Sequence, residues 1–288
     1  MVATINRNFV KIVLPVTLIA LFICIVYIWT TERFPAAANA NLCEFLKDKD
    51  GHRNISRQWW EWACLIEEEW KKGLEVSCQD LRLMGNYYIC FDKPHGPKPP
   101  CLVYSFGIGN DFTFDDAMAE AGCQVFSFDP SMGVSDHQRS ERVRFLSIGL
   151  SSFDSDHFVP LLDSYTMGAD RTWRIRSLAS LKKMLGHENK TLDVLKLDIE
   201  TYEWTILKHL IKDGSLSYVK QLPMEWHIFP NDPMRTEFHS MYETYMDFKK
   251  MGFSVYYMKV TSRKLSRLYF NLQADIAYRN TLYQEPTK

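Results

Sequence analysis

The sequence predicts an α/β protein: a mostly parallel sheet of seven strands flanked by helices, preceded by one transmembrane helix. Three observations carry this expectation. From Cys101 onward, short apolar runs alternate with helix-forming stretches, the pattern of parallel strands joined by crossover helices. The first of those runs enters a Gly-x-Gly turn, "VYSFGIGNDFTFDDA" (103–117), and a helical pattern follows at once. Near the start, residues 12–29 (IVLPVTLIALFICIVYIW) form an uncharged, largely apolar run of 18 residues, about the minimum for crossing a bilayer as a helix.

Taken in order, residues 1–11 are expected to be a cytosolic tail and 12–29 a signal anchor in the lipid bilayer. Pro15 falls where a missing N–H is cheapest, and Tyr27 and Trp29 favour the far interface. Arg7 and Lys11 precede the run, while Glu32 and Arg33 beyond it roughly cancel. The positive-inside bias therefore predicts a single-pass type II protein, with residues 31–288 facing the endoplasmic reticulum or Golgi lumen or the cell exterior. A cleaved signal peptide ending at Ala38-Asn39-Ala40 is the rival, but the run and its spacer are long for one. Residues 30–56 are small and polar, and predict a stem.

Cysteine usage agrees with an oxidising compartment. Cys24 lies in the apolar run; the other six (Cys43, Cys64, Cys78, Cys90, Cys101 and Cys123) are even in number, so disulfides are expected, with 15 connectivities open. Their irregular spacing does not suit zinc. Asn54-Ile55-Ser56 and Asn189-Lys190-Thr191 are glycosylation acceptor triplets, which predicts a glycoprotein. With 34 basic and 35 acidic side chains, net charge is −1, which gives no electrostatic reason to expect a nucleic-acid partner.

Residues 57–100 are expected to be an N-terminal helical extension. The stretch 57–72 (RQWWEWACLIEEEWKK) places Trp60, Ala63, Cys64 and Leu65 near one face, which suggests aromatics buried against the main domain rather than a ligand platform. "DKPHGPKPP" (92–100) marks a boundary. Beyond it the strands are expected at 102–106, 124–128, 144–148, 194–197, 221–226, 254–258 and 275–278, with helices at 115–121, 178–185, 204–212 and 237–250.

Gly107 and Gly109 follow the first strand, where glycine lets backbone turn tightly and approach a ligand. Asp129 ends the next strand, 20 residues after Gly109, where an acid can accept both hydroxyls of a ribose. Phe112 stands where a dinucleotide fingerprint has its third glycine, and no phosphate-loop lysine is present. A ribose-bearing cofactor without pyrophosphate fits better, and S-adenosylmethionine is such a molecule. In "DVLKLDIETYEWTIL" (193–207), Lys196, Asp198 and Glu200 end the fourth strand, where buried acids must meet a cation, donors or a cleft. His227, in "MEWHI", is the candidate base at the same rim, because imidazole titrates near working pH. Asp198, Glu225 and His227 have the ligand types of a divalent-metal site, but no metal is assigned.

The stretches "LVYSFGIGNDFTFDDAMAEAGCQVFSFDPS", "LDVLKLDIETYEWTIL" and "LPMEWHI" resemble the membrane-anchored methyltransferase-like proteins, within the Rossmann-fold S-adenosylmethionine-dependent methyltransferases, and are similar to FkbM-type sugar O-methyltransferases. The resemblance covers about residues 57–280. It implies that 101–288 is the methyltransferase-like domain, that Gly107 and Gly109 form the cofactor loop, and that Asp129 is the ribose acid. It also implies that Asp198 and Glu200 are the Lys-x-Asp-x-Glu element, Asp198 contacting the methionine end or the acceptor. The implied acceptor is a small molecule or glycan carrying a hydroxyl. Ser105 departs from the acid many relatives carry before the loop, and Thr201-Tyr202 replaces the usual glycine after the glutamate. Two other readings stay open: a lumenal metal-dependent glycosyltransferase with "LDIE" as its acidic motif, and an inactive methyltransferase fold used for binding.

Overall fold

The structure, a computed structural model, describes residues 43, 46, 56–160, 172–228, 234–261 and 273–284. The cytosolic tail, the run 12–29 and nearly all of the stem expected at 30–56 lie outside these residues. Among the described residues no helix is long and apolar enough to cross a membrane.

Helix α1 (Trp59–Lys71) begins with a capping box between Gln58 and Glu61 and buries Trp62, Ala63, Ile66 and Trp70. Its aromatics are packing groups: Trp59 meets Phe238, Trp62 meets Tyr242, and Trp70 meets Trp226. The expected helical extension then departs from prediction. Residues 81–90 form a β-hairpin of β1 (Leu81–Met84) and β2 (Tyr87–Cys90), closed by Gly85-Asn86 with Gly85 at φ +59°. Met84, Tyr87 and Ile89 enter the core beside Val103, Phe114 and Val125, so the hairpin belongs to the body of the fold.

All seven expected strands occur. In chain order they are β3 (Cys101–Phe106), β4 (Cys123–Phe128), β6 (Val143–Leu146), β10 (Leu192–Leu197), β11 (Val219–His227), β12 (Phe253–Thr261) and β13 (Gln273–Asn280). The sheet has eight members, not seven, because the two-residue β5 (His137–Gln138), too short to show as a periodic run, pairs at one edge. The order is β12-β13-β11-β10-β3-β4-β6-β5. The five strands from β11 to β6 run parallel; β13 and β5 run against them, and β12, antiparallel to β13, runs with them. β3 and β10 are buried along their whole length, as strands covered on both faces must be. The helices α2 (Thr113–Glu120), α3 (Leu178–Met184), α4 (Glu203–Lys212) and α5 (Phe238–Lys250) match expectation.

A second sheet was not foreseen. β7 (Gly149–Leu150), β8 (Ser155–Phe158) and β9 (Trp173–Arg176) pair in the order β7-β9-β8. All six downstream cysteines are disulfide-bonded, with Cys78–Cys90 and Cys101–Cys123 among the pairs. The second of these joins β3 and β4 at their first rung. Asn189 is exposed between α3 and β10, while Asn54 lies outside the described residues.

Candidate functional site

The parallel register brings the carboxyl ends of β3, β4 and β10 to one edge, where open α/β sheets bind ligands. A cavity of about 330 Å³ lies there, with Ile108, Phe128, Leu150 and Ile175 in its walls. The small sheet contributes Gly149, Leu150, Phe158, Trp173 and Ile175. Gly107, Gly109, Asp129, Asp198 and Glu200 all line the cavity, so the structure brings together the residues expected at the cofactor.

The two glycines work differently from one another. Gly107 (φ +75°) donates its N–H to Phe128 O at 3.0 Å, and a Cβ there would lie 1.5 Å from Asp198 O. Its lack of a side chain serves contact with the neighbouring strand end rather than with a ligand. Lys196 Nζ holds the carbonyls of Gly107 (2.6 Å) and Phe106 (3.2 Å). Gly109 (φ +55°) has nothing within 4 Å of where a Cβ would stand, so the cavity approaches bare backbone there.

Asp129 is committed to the protein itself. Its Oδ2 accepts from Ile108 N (2.9 Å) and Gly109 N (2.8 Å); its Oδ1 accepts from Ser131 N (2.8 Å) and Ser131 Oγ (2.6 Å). Each oxygen already has two donors, about its capacity. The expected bidentate ribose contact therefore needs one of these donors to yield; here Asp129 is the clamp that shapes the glycine turn.

Asp198 Oδ2 accepts from Tyr87 Oη at 2.9 Å and lies 3.7 Å from Lys196 Nζ. Burial pushes its carboxyl above the ordinary range, against the opposing charge of Lys196. Glu200 (φ +52°) and Thr201 (φ +74°) occupy left-handed backbone, which bulky L-residues rarely adopt. This explains the glycine usual in the resembling family, and Thr201 carries the strain that glycine would relieve.

His227 is not where a base is wanted. It is wholly buried and not among the cavity-lining residues, while Glu225 on the same strand is. Burial alone would lower its pKa, but Glu203, Glu225 and Glu200 raise it to about 11, so the imidazole holds its proton at working pH. Glu225 and His227, two residues apart, share a face of β11 and lie 3.6 Å from each other, but His227 is sealed against buried Glu203 while Glu225 reaches the cavity wall. Glu225 feels burial upward, yet the neighbouring imidazolium and Lys196 take its carboxyl below the usual range. Ser105, also fully buried, pairs in register with Ser127, which donates to Asp115 from α2; an acid reaches that region from the helix.

Tyr87, Asn86 and Gln273 were not singled out from the sequence. Gln273 contacts Glu225, and Asn86 and Gln273 line the cavity. The signal for the first two was present: "LRLMGNYYIC" is a two-residue turn between strand-forming runs.

A mostly parallel sheet with crossover helices, a strand-end glycine turn and an acid on the next strand defines a Rossmann-like cofactor-binding domain. Comparison narrows the class. Residues 67–269 match the family described as "Methyltransferase domain", and the chain belongs to that family. It is 31% identical over 148 residues to "Probable methyltransferase-like protein 24" of Rattus norvegicus, a match covering 49% of this chain and 38% of that protein. The Homo sapiens protein of the same name is 32% identical over 129 residues, covering 44% and 33%. These matches span well under half the length of the curated relatives. Among solved structures, Aeropyrum pernix fibrillarin in complex with natively bound S-adenosyl-L-methionine aligns at 12% identity over 63% of this chain and 67% of that one. Its TM-score is 0.31, too loose a superposition to build on.

S-adenosylmethionine is the methyl donor of such a domain, and the crevice suits it. Apolar walls offer a place for a purine, the open space at Gly109 admits close approach, and Asp198, Glu200 and Glu225 form an acidic rim for a cationic ligand.

Proposed function

We propose that the chain is an S-adenosylmethionine-dependent O-methyltransferase acting on a hydroxyl of a sugar or other small acceptor. In this reading it is a type II membrane protein, anchored by residues 12–29 with its domain in the secretory lumen. The observation that carries the enzymatic reading is the single crevice in which Gly109, Asp129, Asp198, Glu200 and Glu225 meet. The disulfide-bonded cysteines and the exposed Asn189 support the lumenal reading.

When bound, the cofactor supplies an electrophilic methyl group on a sulfonium. The turn at 107–109, braced by Asp129 and Lys196, presents bare backbone to the nucleoside part. Asp198 and Glu200 face the methionine part and the acceptor, with Asp198 oriented by Tyr87. Glu225, on the cavity wall, takes the role first expected of His227 and accepts the hydroxyl proton. Most of the rate then comes from holding acceptor and methyl group in line.

The test is calorimetric titration of the purified full-length chain with S-adenosylhomocysteine, followed by transfer of labelled methyl groups to a panel of glycosides. Saturable binding is expected, with Glu225→Gln keeping cofactor affinity and losing turnover. A folded protein that ignores S-adenosylhomocysteine overturns the proposal; binding of a nucleotide sugar with manganese in its place would favour the glycosyltransferase reading.

A further inference from the structure

His227, buried behind the acids that line the cavity, is left without a purpose by methyl transfer alone. His227 Nε2 lies 3.6 Å from Glu200 Oε2 and 3.6 Å from Glu225 Oε1. Both separations exceed a hydrogen bond, and Gln273 Nε2 stands 3.4 Å from the same nitrogen. One donor atom from each of Asp198, Glu200 and His227 falls within 4.8 Å of the others. Ligands held about 2.1 Å from one ion stand about 3.0–3.4 Å apart as neighbours and about 4.2 Å apart across it. Glu200 and His227 at 3.6 Å are within a few tenths of an ångström of neighbouring ligands, and a pair at the 4.8 Å limit would close by about 0.6 Å to stand across the ion or by about 1.4 Å to stand beside each other. We propose that Asp198, Glu200 and His227 form a divalent-cation site opening on the cavity, the ion displacing the His227 Nε2 proton to solvent while Nδ1–H stays on Glu203, an inference that rests on the methyl-transfer reading of the same crevice.

The supporting arrangement behind the ligands favours this. His227 is wholly buried, and its Nδ1 lies 3.1 Å from Glu203 Oε1, which turns Nε2 toward Glu200 and Glu225. Glu203 is itself wholly buried and anchored on Ile199 N at 2.7 Å. A carboxylate gripping the far nitrogen of a histidine is the outer-shell arrangement that metal-ligating imidazoles use. Glu203 Oε2 has no hydrogen-bond partner among the described residues, so its charge is answered chiefly through that imidazole.

Charge points the same way. Among the described residues, Asp198, Glu200, Glu203 and Glu225 gather around two basic side chains, His227 and Lys196, and Lys196 is also engaged with the carbonyls of Phe106 and Gly107. A divalent ion offsets the excess. Two carboxylates and one imidazole suit Mn²⁺ or Zn²⁺ better than thiophilic metals, and three protein ligands leave positions for water or an acceptor oxygen.

The experiment is titration of metal-stripped full-length chain with MnCl₂ in the absence of cofactor, followed by calorimetry and by loss of the free-Mn²⁺ paramagnetic resonance signal. One saturable site is expected. Asp198→Asn and Glu200→Gln should each weaken it at least tenfold, while Asp116→Asn, an exposed acid paired with Arg139, should leave it unchanged. His227 is too deeply buried for its replacement to be the sole test, so the two rim variants decide, with thermal melts confirming that each is folded. Absence of a saturable site, or equal affinity in wild type and both rim variants, overturns the proposal. Titrating the same samples with S-adenosylhomocysteine separates the two readings. Cofactor binding without Mn²⁺ binding removes the cation site alone; Mn²⁺ binding without cofactor binding keeps the site and removes methyl transfer.

Discussion

Gly107 and Gly109 should respond to the same substitution in opposite ways. Alanine at 107 puts an L-residue at φ +75°, which costs about 1–2 kcal/mol. Its methyl group would also stand 1.5 Å from Asp198 O, so the strand end must withdraw by about 2 Å to reach ordinary contact. Such overpacking costs about 1–3 kcal/mol, and the movement loosens the Asp198 N–H bond to Phe106 O and the Lys196 bond to Gly107 O. Gly107→Ala should therefore lose about 3–5 kcal/mol and melt roughly 10 °C lower, at about 2–4 °C per kcal/mol for a domain of this size. Alanine at 109 meets no atom within 4 Å, so only its left-handed backbone counts: about 1 kcal/mol, or about 2–4 °C. Its methyl group occupies the cavity, however, and S-adenosylhomocysteine affinity should fall at least tenfold, about 1.4 kcal/mol. Thermal melts and calorimetry on both variants settle the matter. A Gly107→Ala protein as stable as wild type, or a Gly109→Ala protein that binds S-adenosylhomocysteine normally, would refute the division of labour between the two glycines.

Asp129→Asn should speed amide hydrogen exchange at Ile108 and Gly109 at least tenfold without cofactor present, because bonds to a charged acceptor contribute about 1.5–3 kcal/mol; unchanged exchange would show that the clamp is dispensable. Thr201→Gly should stabilise the protein by about 0.5–1 kcal/mol and raise its melting temperature by about 2 °C, since it relieves φ +74° at a β-branched residue; a fall would show that the threonine side chain outweighs the strain. Asp115 predicts a pH effect. Burial raises its carboxyl above 3.8 despite Ser127 and Lys196, so folding favours the protonated acid. That contribution is complete below the unfolded value and is lost as pH rises through the folded one. Asp115→Asn should therefore gain on wild type in melting temperature as pH rises above about 4, and parallel curves would count against the assignment.

The strands were legible where burial on both faces left continuous apolar runs, as in "CLVYSF" and "LDVLKL". The two-residue β5 and β7 carry no periodicity that a sequence pattern can register. The hairpin 81–90 was hidden differently: its turn chemistry is plain, but the strong helical periodicity of 57–72 upstream extended a helical expectation over the whole segment. At the site, residue types and strand ends placed Gly107, Gly109, Asp129, Asp198 and Glu200 in one crevice. What they do there depends on contacts far apart in the chain. Nothing near Gly107 announces Asp198 O, and nothing near Asp129 announces that Ser131 and the turn amides fill its oxygens. His227 shows the limit most sharply: it shares a face of its strand with Glu225, and only the packing of Glu203 from the following helix decides that the histidine is sealed and the glutamate reaches the cavity.

The bond between Cys101 and Cys123 ties two strands at the ends remote from the crevice, six rungs from the glycine turn and Asp129. With that tether in place, the strands cannot slide past one another, so turn and acid arrive at the crevice with fixed offset. Material made in a reducing cytosol lacks this restraint, and a negative result obtained with it would report on a loosened variant rather than on the oxidised molecule. Expression route is thus part of any experiment on this crevice, and the thiol titre of a preparation is the first thing to measure.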